Sequence, residues 1–138
     1  MLWHPESTKN AIAISKTGSF AAAFDAGSFG TGIYLSFDYT VSWEKSSAPD
    51  LIWIGIACSA SGNHVYAVTC EQNSPAQLFV SRDFGKTWNK VEFTHTESSF
   101  KAIVSSESGA IVTIFGGSTI YSSKDFGNPW SSYVSPYD

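Results

Sequence analysis

The side chains able to do chemistry are few, and their spacing is poor for it. The candidate carboxylates are Asp25, Glu44, Asp50, Glu71, Glu92, Glu97 and Glu107. A glycosidase needs two such groups facing each other across roughly 5–10 Å. Most of these fall in turns or outer segments, where a solvated surface charge is the plain reading. Asp25 ends an apolar strand and Glu71 follows the matching strand of the next repeat, so both border the same kind of edge. Nothing pairs them with a chemical role. His4, His64 and His95 show no His-x-x-x-His spacing, and Cys58 and Cys70 no Cys-x-x-Cys spacing, so a zinc site is not expected. Calcium loops, a Gly-x-Ser-x-Gly elbow and a phosphate-binding Gly-x-x-x-x-Gly-Lys-Ser/Thr loop are also missing; Gly116-Gly117 reads as a hairpin turn. The expectation is no catalytic residue, no metal and no cofactor.

Composition narrows the partners. Charged residues make up 14% of the 138 residues, against about a quarter in an average domain. A surface so poor in charge suggests that much of it is covered. The net charge is -4 and the basic residues are not clustered, so neither nucleic acid nor a polybasic membrane contact is expected. The longest apolar stretch, Leu51 to Ala60, is too short to span a bilayer. The first residues lack a charged segment followed by an apolar one, so no signal peptide is read and a cytoplasmic location is the default expectation. Cys58 and Cys70 fall on adjacent expected strands turning near Gly62-Asn63. That turn sets Cys58 opposite Val65 or Tyr66, which predicts two free thiols rather than a disulfide.

The elements that must position these residues repeat. Ser36-Phe37-Asp38-Tyr39-Thr40-Val41-Ser42-Trp43, Ser81-Arg82-Asp83-Phe84-Gly85-Lys86-Thr87-Trp88 and Ser123-Lys124-Asp125-Phe126-Gly127-Asn128-Pro129-Trp130 share Ser-x-Asp-aromatic-Gly-x-x-Trp. Asp38 and Asp83 are 45 positions apart, and Asp83 and Asp125 are 42. Upstream of each motif lie an apolar run, a Gly turn, a second run, and a third run leading into the motif. The first runs are Ala11–Ile14, Ile54–Ala57 and Ala102–Val104. The second are Phe20–Phe24, Val65–Val68 and Ile111–Phe115, and the third Ile33–Leu35, Leu78–Val80 and Thr119–Tyr121. A short polar segment follows each Trp. Each repeat therefore predicts four strands of one antiparallel sheet. The runs are nearly continuously apolar, which predicts strands buried on both faces.

Within the motif, the Asp carboxylate suits a hairpin corner by accepting turn amides one to three residues on. Gly takes positive φ freely, and the Trp offers a large apolar surface to a neighbouring sheet. Thr40 stands where the other two motifs have Gly, which predicts a distorted first turn. Ser42 and Pro129 replace the Thr of the second motif.

These segments resemble the Asp box, or BNR repeat, of sialidase-like and sortilin-like β-propellers, and the likeness covers nearly the whole chain. The resemblance implies one domain of three blades, about 1–48, 49–95 and 96–138, with the boxes on peripheral turns away from any central site. It also implies that Ser36, Asp38, Trp43, Ser81, Asp83, Gly85, Thr87, Trp88, Ser123, Asp125, Gly127 and Trp130 are structural. Sialidases, by that resemblance, hold the substrate carboxylate with three arginines, whereas Arg82 is the one arginine here. Sialidase activity is therefore not expected.

Three blades do not close a ring at the usual four to eight. The fold expectation is an all-β partial propeller closed by oligomerisation. The closing partner is a second copy, giving six blades, or another propeller chain, and Met1 to Asn10 offers a closing arm or a free terminus. The functional expectation is a non-catalytic module for binding or assembly. A carbohydrate-binding lectin and a divergent glycoside hydrolase are the alternatives. Trp43, Trp88 and Trp130 belong to the boxes, and Trp53 heads an apolar strand and reads as core.

Overall fold

Glycine turns cut the apolar runs too short for helices, and each run becomes a strand. The computed structural model describes residues 10–25, 32–71 and 75–134. Of the segment Met1 to Asn10, only Asn10 lies within the described residues, and Trp3 and His4 lie outside them. The first sheet holds β1 (Asn10–Ile14), β2 (Ala21–Asp25), β3 (Ile33–Ser36) and β4 (Glu44–Lys45). The second holds β5 (Trp53–Cys58), β6 (Val65–Thr69), β7 (Leu78–Ser81) and β8 (Asn89–Val91). The third holds β9 (Ala102–Ser105), β10 (Val112–Phe115), β11 (Thr119–Ser123) and β12 (Ser131–Val134). Every sheet is antiparallel with strands in sequence order, and there is no helix among the described residues. Cys58 pairs with Val65 across β5 and β6, Cys70 bridges to Ser99, and both thiols are free. Burial pushes the Cys58 thiol up to about 11, which keeps it protonated and unreactive near neutral pH.

Register makes the three sheets superposable. Leu35 pairs with Glu44, Val80 with Asn89, and Ser122 with Ser131. Each pair encloses the same Ser-x-Asp segment, so the corners occupy equivalent positions. At each corner two successive residues have positive φ: Tyr39 and Thr40 (61° and 66°), Phe84 and Gly85 (61° and 80°), Phe126 and Gly127 (58° and 96°). The N–H of Val41, Lys86 and Asn128 donates to the carbonyl of Asp38, Asp83 and Asp125 at 3.2–3.3 Å. These are type I′ turns, whose twist matches that of the flanking strands. The expectation that Thr40 distorts the first turn is therefore overturned. Ser36 Oγ accepts the Thr40 N–H at 3.0 Å, as Ser81 Oγ accepts that of Gly85 at 2.7 Å. The hydroxyl holds Thr40 in the left-handed region despite its branched side chain.

The sheets stack face to face, meeting chiefly through β1 against β5 and β5 against β9. Because side chains alternate along a strand, each sheet sends one set forward and one back. Ala13, Ala22, Phe24, Ile33 and Leu35 meet Trp53, Ile56, Val65 and Ala67 in a first core. Ala57, Tyr66, Val68, Leu78 and Val80 meet Phe100, Ile103, Val112, Ile114 and Tyr121 in a second. Trp53 is 1% exposed, and its Nε1 has no hydrogen-bond partner among the described residues.

Burial on both faces holds for the middle sheet, where all of β6 is buried. It fails for the other two. The outward face of the first sheet leaves Ile12 55% exposed, and that of the third leaves Val104 61% exposed. The sequence pattern is alike in all three sheets, but among the described residues only the middle one has a neighbour on each side.

Relieving the strained residue tests this account. Left-handed conformation costs a non-glycine residue about 1–2 kcal/mol, part of which glycine's unfolded-state entropy offsets. Thr40→Gly should therefore raise unfolding free energy by about 1 kcal/mol in a dilute urea titration. No gain would mean that Thr40 is unstrained there.

Candidate functional site

The corners are where the three repeats share side chains able to make hydrogen bonds. Asp83 Oδ1 accepts the Ser81 hydroxyl at 2.8 Å and the Thr87 N–H at 2.9 Å, and Oδ2 accepts the Thr87 hydroxyl at 2.6 Å. Asp38 repeats this: Oδ1 accepts from Ser36 at 3.0 Å and the Ser42 N–H at 2.9 Å, and Oδ2 accepts the Ser42 hydroxyl. The amide bound is four residues on, not one to three as the sequence suggested, because the serine two residues earlier has taken the intervening turn amide. Ser123 Oγ accepts the N–H of Asp125 at 3.2 Å and of Gly127 at 2.9 Å. Pro129 supplies neither an N–H nor a hydroxyl, so the third corner keeps only its serine half.

These bonds set the carboxylates' chemistry. The Ser42 hydroxyl and amide hold Asp38 below the usual carboxylate range, and the Thr87 hydroxyl and amide do the same for Asp83. Hydrogen bonds that favour the charged form lower a pKa. Such groups are spent as acceptors and are poor general bases.

The tryptophans differ from blade-wedging expectation in one instance. Trp88 Nε1 donates to the Gly85 carbonyl and its ring joins the first core; Trp130 Nε1 donates to Gly127 and its ring stacks on Phe93 at 4.7 Å. Each therefore packs on the preceding sheet. Trp43 has no preceding sheet among the described residues and is 40% exposed.

Three of the seven other candidate carboxylates meet surface lysines. Lys45 meets Asp50 at 3.0 Å, Lys90 meets Glu92 at 3.2 Å, and Lys16 meets Glu107 at 3.7 Å. Exposed pairs of this kind stabilise weakly. Glu97 Oε2 accepts the Tyr121 hydroxyl at 2.9 Å. Glu71 donates its N–H to Ser98 and lies against the third sheet's entry, and Asp25 closes β2. Among the described residues, no three His, Cys, Asp or Glu side chains gather as a metal site would require.

The sequence reading passed over an aromatic cluster at the outer junction of the second and third sheets. Phe93, His95, Phe100, Tyr121 and Trp130 pack there, with Phe93 and His95 4.8 Å apart. His95 Nδ1 accepts the Glu97 N–H at 3.1 Å, and burial lowers the ring's pKa. Two open grooves flank this segment. One of about 280 Å³ is bordered by Gln77, Lys90 and Glu92, and one of about 380 Å³ by Tyr121, Asn128 and Trp130. The signal that could have located it is the apolar-polar alternation from Val91 to His95, which continues beyond the short β8.

Three consecutive four-stranded sheets, stacked through their inner strands with equivalent outer corners, are blades of a β-propeller. No family model matches the sequence, and no curated protein does. Solved structures carry the likeness. The YCF48 propeller bound to D1 peptide is 15% identical, with a TM-score of 0.65 over 95% of this chain and 42% of that one. A GH74 xyloglucanase from Xanthomonas campestris is 14% identical, with a TM-score of 0.69 over 95% of this chain and 24% of that one. The Dos1 propeller is 15% identical, with a TM-score of 0.60 over 98% of this chain and 38% of that one. This chain thus spans about two fifths or less of the length of these structures and is a partial propeller. No helix among the described residues is long and apolar enough to cross a membrane.

The second corner offers a direct check. Asp83→Ala should lower unfolding free energy by about 1–2 kcal/mol, since it removes three hydrogen bonds around one carboxylate. Asp83→Asn separates out the charge. Because the folded pKa lies below the ordinary 3.8, the charge's contribution is complete above that value and is lost as pH falls through the folded pKa. Wild type and Asp83→Asn should therefore differ in stability at neutral pH and converge below pH 3.8. A gap that persists in acid would assign the corner's strength to something other than the carboxylate.

Proposed function

We propose that the chain is a non-catalytic Asp-box propeller module, of the sialidase-like or sortilin-like kind, that works by assembly through its two end blades. It acts as one domain of three blades, and its closing partner is another propeller surface. The observation that carries this is the exposure of Ile12, Ile14 and Trp43 at one end and of Val104, Phe115 and Ile111 at the other. Ile56, Cys58 and Trp88 hold the positions of Ile12, Ile14 and Trp43 in the middle blade, where they pack in the first core. Large apolar side chains left exposed on the face that is covered in the middle blade support an interaction site there. The Asp-box reading is supported by the shared Ser-x-Asp bonding of Ser36, Asp38, Ser81 and Asp83. On this reading the twelve box residues are structural.

A lectin or a glycosidase would instead use the outer grooves or a central face, with the end blades as bystanders. Glycan-array binding of the wild type beside a variant carrying Ile14→Lys and Val104→Lys separates these readings. The expected result is no glycan retained by either protein. A glycan retained equally by both would replace assembly with carbohydrate recognition, and hydrolysis that disappears in Asp25→Asn or Glu71→Gln would restore an enzyme.

A further inference from the structure

The chain has two internal blade junctions, between the first and second sheets and between the second and third. Each junction repeats the same three contacts. First, the residue before the corner serine of one blade packs on the second turn residue of the next corner. Leu35 packs on Gly85, where an added Cβ would lie 2.5 Å from Leu35 Cδ2; Val80 packs on Gly127, where Cγ2 would lie 3.8 Å from such a Cβ. Second, the residue after the inner hairpin turn packs on the corner aromatic of the next blade. Phe20 meets Phe84 at 5.7 Å between ring centroids, and His64 meets Phe126 at 4.7 Å. Third, a backbone bond links successive inner turns. Lys16 N–H donates to the Ala60 carbonyl at 2.7 Å, and Ala60 N–H donates to the Glu107 carbonyl at 2.6 Å.

The two ends carry the unmatched halves of all three contacts. The third blade presents Ser122, Ile111 and the Glu107 N–H; the first presents Thr40, Tyr39 and the Lys16 carbonyl. Among the described residues, neither that N–H nor that carbonyl has a backbone partner. The sizes at the two ends are complementary in the reverse sense to the internal junctions. Large Leu35 and Val80 each face a glycine. The one corner with a side chain at that position, Thr40, would face the one small residue in the series, Ser122. Ile111 and Tyr39, both exposed, form the third apolar pair.

We propose that the first blade receives the third blade of a second copy of this chain, and the reverse, closing a six-bladed ring. Ser122 then sits over Thr40, Ile111 against Tyr39, and the Glu107 N–H donates to the Lys16 carbonyl of the other copy. Two identical junctions close under a two-fold axis, and six blades lie within the range of closed propellers. This rests on the assembly reading but specifies more than it does, namely a partner and a register.

Light scattering tests the partner, and a size exchange tests the register. The chain should run at twice its 14.9 kDa at high micromolar concentration. Ser122→Leu should weaken the dimer by about tenfold or more, because the larger side chain overpacks Thr40. Adding Thr40→Gly should restore it by recreating the Leu35–Gly85 pairing. Circular dichroism checks that each variant folds. Should Ser122→Leu unfold, an independent arm remains: Thr40→Cys and Ser122→Cys are made in separate chains with Cys58 and Cys70 replaced by alanine. Mixed and oxidised, they should cross-link into a two-chain species that neither forms alone. A wild-type mass of one chain overturns the proposal. So does a Ser122→Leu variant that dimerises normally, or cross-linking by either cysteine chain alone. If the larger mass is lost on Ile14→Lys but ignores the Ser122 and Thr40 exchange, this register falls while assembly through the end blades stands.

Discussion

A four-stranded sheet with apolar side chains on both faces must be covered twice, and the rest of this structure follows from that requirement. Alternation along each strand sends one set of side chains to each side. The middle blade meets the demand by sandwiching between its neighbours, with β6 buried throughout. The outer blades meet it on one side only, which leaves Ile12 and Ile14 at one end and Val104 and Phe115 at the other. Burial of such side chains stabilises by roughly 25 cal/mol per Å², a contribution the middle blade gains on both faces.

The Ser-x-Asp corner serves that stacking rather than competing with it. A hydroxyl fixes the turn amide, a carboxylate fixes the returning strand, and the tryptophan that follows is set against the preceding blade. Trp88 and Trp130 each find that blade, and Trp43 does not. The third corner shows how the parts divide. Pro129 removes the partners of Asp125, yet Ser123 still holds Gly127 and the I′ turn is kept. The serine sets the turn's shape, and the aspartate ties the strand leaving it.

The likeness to YCF48, a GH74 xyloglucanase and the Dos1 propeller belongs to this stacked scaffold. At identities near 15%, that likeness shows the fold alone, and a shared fold does not carry a function with it. Function on such a scaffold is decided by what borders each blade. In this chain the most distinctive borders are the two end faces and the aromatic junction around Phe93 and His95.

Much of the fold was legible in the sequence because its causes are local. Turn glycines, apolar runs and a motif recurring at 45 and 42 positions set the twelve strands of the described residues and the equivalence of the three corners. The pairing of Cys58 with Val65 followed from one hairpin turn. What local pattern did not decide was covering. Trp43 reads like Trp88, and Ile12 like Ile56, yet their surroundings differ because burial depends on the neighbouring sheet. Thr40 looked like a break in the turn, and the hydrogen bond its N–H donates to the serine four residues earlier kept it in shape. The Phe93–Trp130 stack joins residues from two blades, and only stacking brought them together. The amino-acid sequence determined the strands and corners through short-range sterics and hydrogen bonding. The tertiary structure alone decided which apolar faces were covered, because that depends on contacts between sheets distant in the chain.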